Sequence, residues 1–179
     1  MRKDTEFKAV YDDYKNLVYN LALNYVQNIS DAQDITQEVF VKVYQNIHRY
    51  NPEASSLKTW IYRIAINQSL DFLKMKKARK RFGFITSLFR TDSNQPVVEA
   101  ESSDHPGIAL EDKEQLQNLF RLINALPANQ KTVVILLKAE DRSQKEVAEI
   151  MGVSEKAVES LFQRAKHALN RKIKGGEGI

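Results

Sequence analysis

The chain has 179 residues, room for one ordinary domain or two small ones, and its 42% hydrophobic and 28% charged content is that of a globular protein. It holds no cysteine, which excludes a disulfide framework, a cysteine-ligated zinc site and a thiol switch, and suits a reducing cytosol. The net charge of +4 is modest; what carries meaning is its clustering, at Lys74, Lys76, Lys77, Arg79, Lys80 and Arg81 and again at Arg164, Lys166, Arg171, Lys172 and Lys174. Two separated basic patches favour an elongated contact with one polyanion. No stretch approaches the roughly 20 apolar residues of a membrane span. The N-terminal stretch lacks a signal-peptide core, so a cytoplasmic location without membrane insertion is expected.

In chain order, Phe7, Val10, Tyr11, Tyr14, Leu17, Val18, Leu21 and Tyr25 follow the three-then-four spacing of one helix face, with Asp4 as its N-cap. Ser30-Asp31-Ala32-Gln33 has the form of a capping box and predicts a helix running to about Ile47, with Ile35, Val39, Val43 and Ile47 inward. Tyr50-Asn51-Pro52 predicts a break, because proline lacks an N–H and restricts the residue before it. A third helix is expected from Ser55 or Ser56, burying Leu57, Trp60, Ile61, Ile64 and Ala65 and running on through the basic cluster with no breaker before Gly83. The apolar Phe82, Phe84, Ile85, Leu88 and Phe89 either extend it or form a short packed segment. From about Arg90 to Gly107 the composition turns to Ser, Asp, Glu and Pro without periodicity, which reads as a mobile linker.

A second helical module begins near Leu110, with Leu116, Leu119, Phe120 and Ile123 on one face and a turn at Leu126-Pro127. Val133, Val134, Leu136 and Leu137 mark the next helix, and Ser143-Gln144-Lys145-Glu146 is a second capping box opening a short one. Gly152 suits a positive φ in the turn that follows. Ser154 caps a last helix whose buried stripe is Val158, Leu161, Phe162, Ala165 and Leu169. The fold class is therefore all-α. It comprises two small helical domains, over residues 1–89 and 109–179, joined by a flexible linker over 90–108.

Two capped helices meeting at Met151-Gly152-Val153, with small Ala148 allowing close approach, form the pattern of a helix-turn-helix whose second helix enters the major groove. An ordinary helix pair in a bundle is the plain alternative; the basic C-terminal flank favours DNA. Glu155, Lys156, Glu159, Ser160, Gln163, Arg164 and Lys166 occupy the outward face, where early residues meet base edges and later cations hold phosphates. The run from Trp60 to Arg81 places aromatic and amide side chains ahead of cations on one helix, a combination suited to single-stranded nucleic acid, although a solvated basic face would look the same. Asp31, Asp34, Gln37, Glu38 and Gln45 give the second helix an acidic and amide face, solvated or docking a basic partner. His48, His105 and His167 form no ligand spacing and no Gly-rich phosphate loop follows a strand, so neither an enzyme, a metal site nor a cofactor is expected.

Together these blocks resemble the sigma factors of bacterial RNA polymerase, of the compact extracytoplasmic-function type, over nearly the whole chain and in order. DAQDITQEVFVKVYQNIHRYNP is similar to the family's core-binding helix and following loop. LKTWIYRIAINQSLDFLKMKKARKR is similar to its melting and −10-reading segment, and LPANQKTVVILLKAEDRSQKEVAEIMGVSEKAVESLFQRAKHALNRKI to its −35-reading domain. The resemblance implies that Asp34, Gln37, Glu38 and Phe40 dock on the clamp helices of the large subunit of core RNA polymerase. It implies that the loop Asn51 to Lys58, with Asn51, Ser55, Ser56 and Lys58, captures a flipped −10 base beside Trp60, Arg63 and Asn67, with Lys74 and Lys77 on the strand. It places Lys156, Glu159, Ser160, Gln163, Arg164 and Lys166 at the −35 duplex. It also implies an anti-sigma factor, often membrane-anchored, that masks these surfaces. Two departures bear on which promoter is read: Glu159 stands where the family commonly has Lys or Arg, and the loop 51–56 lacks an expected glycine. The competing expectation is a stand-alone helix-turn-helix regulator that binds duplex DNA without polymerase.

Overall fold

A computed structural model describes the backbone of residues 2–89 and 110–176 and the side chains of residues 7–81 and 115–173. The expected linker over 90–108 lies outside the described residues, as do the side chains of Phe82 to Phe89 and Asp4. Among the described residues there is no strand. The helices are α1 (Arg2–Val26), α2 (Ile29–Asn46), α3 (Leu57–Phe89), α4 (Leu110–Asn124), α5 (Ala128–Val134), α6 (Gln144–Met151) and α7 (Glu155–Gly176). A 3₁₀ turn (Ile47–Arg49) follows α2 and a π turn (Ile135–Ala139) follows α5.

The helix boundaries follow from local chemistry. α1 stops because Gln27 adopts the left-handed conformation, φ 56°, and its side-chain amide donates to the carbonyls of Leu23 and Asn24. The cap of α2 is then Asn28, whose Oδ1 accepts from the Asp31 N–H at 2.9 Å. The capping box expected at Ser30 does not form, since Ser30 already lies inside the helix. The break before Pro52 is present, with the 3₁₀ turn ending at Arg49. Ser56 starts α3 by accepting from the Thr59 N–H at 3.1 Å. α3 passes through Gly83 and continues to Phe89, so the apolar segment extends the helix.

Farther along, Pro127 immediately precedes α5, and the π turn widens the end of that helix. Ser143 and Glu146 form the expected reciprocal capping box on α6. Gly152 ends it at φ 66°, with the Val153 N–H reaching back to the Ala148 carbonyl at 3.0 Å. Ser154 caps α7 by accepting from the Ala157 N–H at 3.2 Å.

The N-terminal three helices bury Val18, Leu21, Tyr25, Ile35, Val39, Val43 and Ile61 completely. Each such side chain contributes roughly 1.5–3 kcal/mol on burial. The same apolar cluster runs on into Val133, Leu136, Val147 and Val158 of the C-terminal half, while Ile123, Leu126, Val134 and Ala165 form a smaller one. The halves are therefore packed on each other. This explains a second buried stripe on α3, Tyr62 and Ile66, beside the expected Ile61 and Ala65. Trp60, Leu57 and Ile64 are only half-buried.

Candidate nucleic-acid interface

α6, the turn Gly152–Ser154 and α7 form two helices joined by three residues. α7 turns Val158 and Ala165 fully inward, while Lys156, Glu159, Ser160, Gln163, Arg164 and Lys166 are all exposed. At 3.6 residues per turn these six fall within an arc of about 160° opposite the buried stripe. Among the described residues none of the six forms an ion pair or side-chain hydrogen bond, and Glu159 pairs with neither Lys156 nor Arg164. A polar face with all its donors and acceptors uncommitted suits contact with base edges and phosphates. The supporting cap is electrostatic as well: hydrogen bonds from the Ser143 backbone and hydroxyl hold the Glu146 carboxyl below its ordinary value, aided by Arg142 and Lys58.

The loop 51–56 is ordered by its own hydrogen bonds. Asn51 Oδ1 accepts from the Glu53 N–H at 3.0 Å, and the Tyr50 hydroxyl donates to the Ser55 carbonyl at 2.9 Å. Ser56 is committed to capping α3. The Tyr50 ring lies 5.5 Å from that of Trp60, which lines a cleft of about 350 Å³ with Lys42, Asn46, Arg49, Ile64 and Asn67. An indole edge, two amides and two cations around one cleft can stack, hydrogen-bond and neutralise an unpaired nucleotide. Lys42, Asn46 and Arg49 were not singled out from the sequence, and Tyr50 only as part of the break before Pro52. The signal was available in two cations and an amide spread over the end of α2 and the 3₁₀ turn after it, which only the return of α3 brings beside Trp60. Asn67 and Trp60 thus meet as expected, with Lys58 half-buried at the start of α3.

Arg63 does not join them. Its Nε donates to the Ile150 carbonyl at 3.0 Å and its guanidinium also to the Glu149 carbonyl at 2.7 Å, so it sits on the C-terminal end of α6. Lys74 and Lys77 are exposed, Lys74 in a pair with Asp71 at 3.0 Å between side chains 73% and 58% exposed. Such a pair is worth less than about 1 kcal/mol and yields readily to a phosphate. Lys76 instead ties α3 to α2 through Asp31, at 2.8 Å, so Asp31 leaves the acidic face it was assigned to.

On α2, Asp34, Gln37, Glu38 and Gln45 are exposed together on one face. Phe40 does not share that face. It is 3% exposed, edge-on to Phe7 and Tyr11, and its direct contribution is to hold α1 against α2. Val41 and Tyr44, 49% and 51% exposed, stand on the face instead. Sequence reasoning missed them, although two apolar residues off the buried spacing are a legible sign of a contact surface.

Comparison with known proteins gives a consistent placement. Residues 10–79 match the family model of Sigma-70 region 2, and residues 116–169 that of Sigma-70 region 4. The chain is 32% identical over 171 residues to the RNA polymerase sigma factor SigV of Bacillus subtilis, covering 92% of each. It is 26% identical to the ECF sigma factor SigW of the same organism, covering 94% of this chain and 89% of that one. It is similar in fold to CnrH solved with the cytosolic domain of CnrY, with TM-score 0.62, 19% identity and coverage of 96% and 90%. It is likewise similar to the sigma factor RpoE of Bartonella quintana solved with the anti-sigma factor NepR, with TM-score 0.59, 21% identity and coverage of 94% and 97%.

Proposed function

The chain belongs to the extracytoplasmic-function sigma factors of RNA polymerase, and on that footing we propose that it binds core RNA polymerase and directs initiation at promoters carrying its own −10 and −35 sequences. The observation that carries the reading is the uncommitted outward face of α7, set on a doubly capped helix-turn-helix. Lys156, Ser160, Gln163, Arg164 and Lys166 meet the −35 duplex, and Glu159 accepts from a cytosine amino group rather than contacting phosphate. The cleft of Trp60, Asn67, Lys42 and Arg49 receives an extruded −10 base, with Asn51, Ser55 and Lys58 at its rim and Lys74 and Lys77 on the strand. Extrusion costs a few kcal/mol, which stacking on the indole and hydrogen bonds to the base edge offset. Asp34, Gln37 and Glu38, with Val41 and Tyr44, dock on the clamp helices of the large subunit.

The reading assigns the chain no catalytic step and a cytoplasmic place of action. No helix among the described residues is long and apolar enough to cross a membrane. An anti-sigma factor, of the kind found with RpoE, is its expected restraint. The stand-alone regulator loses ground because residues 10–79 match a region such a regulator has no use for. Transcription in vitro with core polymerase over genomic fragments tests the proposal. Specific starts that require this protein are expected. Tight, specific duplex binding by the free protein with no polymerase-dependent starts would establish the alternative.

A further inference from the structure

Leu70, Leu73, Lys74, Lys77 and Lys80 lie at helical spacings of three and four on α3, so apolar and cationic side chains share one face of it. Val26 at the end of α1, Asn124 at the end of α4, and Leu126, Ala128 and Lys131 around the start of α5 close over that face. The result is a cavity of about 360 Å³, within the roughly 300–1,000 Å³ of small-molecule sites. Its walls are aliphatic and its charge is of one sign. Among the described residues, five lysines line it, Asn124 is the one uncharged polar side chain, and no carboxylate does. Two of the lysines are paired outside it, Lys74 with Asp71 at 3.0 Å and Lys76 with Asp31 at 2.8 Å. Lys77 and Lys131 have no acidic partner among the described residues. Lys131 is only 6% exposed, and no described group accepts a hydrogen bond from its ammonium. A buried cation without a counter-charge is costly. Burial, and then the Lys77 charge nearby, accordingly hold Lys131 below the ordinary lysine range.

One anion in the cavity neutralises Lys77 and Lys131 together. The cations are all lysine: compact point charges on flexible stems that suit phosphate oxygens, with none of the planar arginine forks that pair bidentately with carboxylate. We propose that this cavity binds a small polyphosphate anion, of which a nucleoside triphosphate and a free polyphosphate chain are the two sources. Lys131 and Lys77 hold the phosphates, one from α5 and one from α3. Lys74 exchanges Asp71, a weak and exposed partner, for a further phosphate. Val26, Leu70, Leu73 and Leu126 offer the face of a base an apolar wall, with Asn124 to hydrogen-bond its edge. The site is built without polymerase or promoter and owes nothing to the sigma reading, so either can fail alone.

Isothermal titration calorimetry on the full chain, without polymerase or DNA and in magnesium-free buffer, tests the site with GTP, ATP, inorganic tripolyphosphate and orthophosphate. Saturable binding of a triphosphate or of tripolyphosphate is expected, with orthophosphate at least about tenfold weaker because it meets fewer of the lysines. Tighter binding of GTP or ATP than of tripolyphosphate makes the nucleotide the source and the aliphatic wall its base platform; equal affinities make it the polyphosphate chain. Lys131→Met and Lys77→Gln should each lower affinity at least about tenfold, as loss of a charge-assisted hydrogen bond does. Lys145→Gln, which removes an exposed lysine of α6 outside the cavity, should not. Lys131→Met should also keep or raise the thermal midpoint, because it removes an unpaired buried cation. Lys77 is exposed, so its variant carries the test if Lys131→Met fails to fold. No binding of any of these anions at millimolar concentration overturns the proposal. So does binding that all three variants retain alike, which is attraction to a basic surface. Binding of a single-stranded oligonucleotide with none of tripolyphosphate or nucleotide overturns it too, and assigns the lysines to a nucleic-acid backbone. Specific initiation, present or absent, leaves each of these outcomes unchanged.

Discussion

At the scale of single residues, the sharpest distinction is between side chains that position the protein and those that specify sequence. Arg164 is an exposed cation with no partner among the described residues. If it meets a phosphate, Arg164→Ala lowers affinity for all −35 duplexes alike and flattens the dependence of log affinity on log salt by about 0.9. An unchanged slope in a titration from low to moderate salt removes it from the backbone contact. Glu159 behaves differently: Glu159→Gln should relax the preference at one base pair by about 1–3 kcal/mol in selection from randomised −35 sites, with the salt slope nearly kept. On α2, Asp34→Arg should weaken core binding roughly tenfold or more, since reversing a rim charge against a complementary partner is costly. Its thermal midpoint should stay close to wild type, because Asp34 is exposed and unpaired among the described residues. Equal core affinity in a direct binding measurement would remove α2 from the docking surface. Phe40 shows where residue-level reading stops. The family resemblance assigns it a docking role, yet the packing of α1 covers its ring with Phe7 and Tyr11.

At the scale of elements, the caps decide what the sequence discloses. Ser143-x-x-Glu146, Gly152 and Ser154 were legible because each has a residue type with a single physical use at that place. Gly152 has nothing within 4 Å of where a Cβ would stand, so its φ of 66° is the one reason glycine is favoured there. Gly152→Ala should therefore cost about 1–2 kcal/mol in denaturant unfolding through the backbone term, with no packing contribution. A neutral result would mean the turn re-forms without a left-handed residue. Glu146 adds a dependence on acid. Its carboxyl is held below the ordinary 4.5, so its contribution is complete above that value and is lost as pH falls through the lowered one. Comparing wild type with Glu146→Gln between pH 6 and pH 3 should show the gap in unfolding midpoint narrowing toward the acid end. The start of α2 was misread for the converse reason. Gln27 has no intrinsic bias toward the left-handed region and its own amide supplies the cap on α1, while Asn28, a preferred N-cap type, stands two residues before a Ser-x-x-Gln run that mimics a capping box.

At the scale of the whole molecule, helix order, the all-α class and the helix-turn-helix follow from periodicity and caps, but the contact between halves does not. It is made by Asn24, Tyr25, Tyr62 and Arg63 reaching Glu140, Thr132, Glu149 and Ile150, residues 78 to 116 positions apart. No period relates polar residues at such separations, and two of the acceptors are main-chain carbonyls that carry no side-chain signature. The cleft beside Trp60 was half legible for the same reason: Trp60 and Asn67 share α3, whereas Lys42 arrives from α2 and Arg49 from the 3₁₀ turn after it. The consequence of the contact is thermodynamic coupling. Val133, Leu136 and Val147 are fully buried in a cluster continuous with Val18, Leu21 and Tyr25, so separating the halves exposes apolar surface on both sides. Neutral hydrogen bonds add roughly 1 kcal/mol each, and every 1.4 kcal/mol of coupling is about a tenfold bias toward joint unfolding. Trp60 is the lone tryptophan and belongs to the N-terminal half, whereas circular dichroism at helical wavelengths weighs both halves. Under urea the two signals should trace one coincident transition in the wild type, as a cooperative unit requires. In Tyr25→Phe/Glu140→Ala, with the polar part of the coupling removed, the fluorescence and helical midpoints should draw apart. Wild-type curves that already differ would mean that the apolar cluster does not bind the halves into one folding unit.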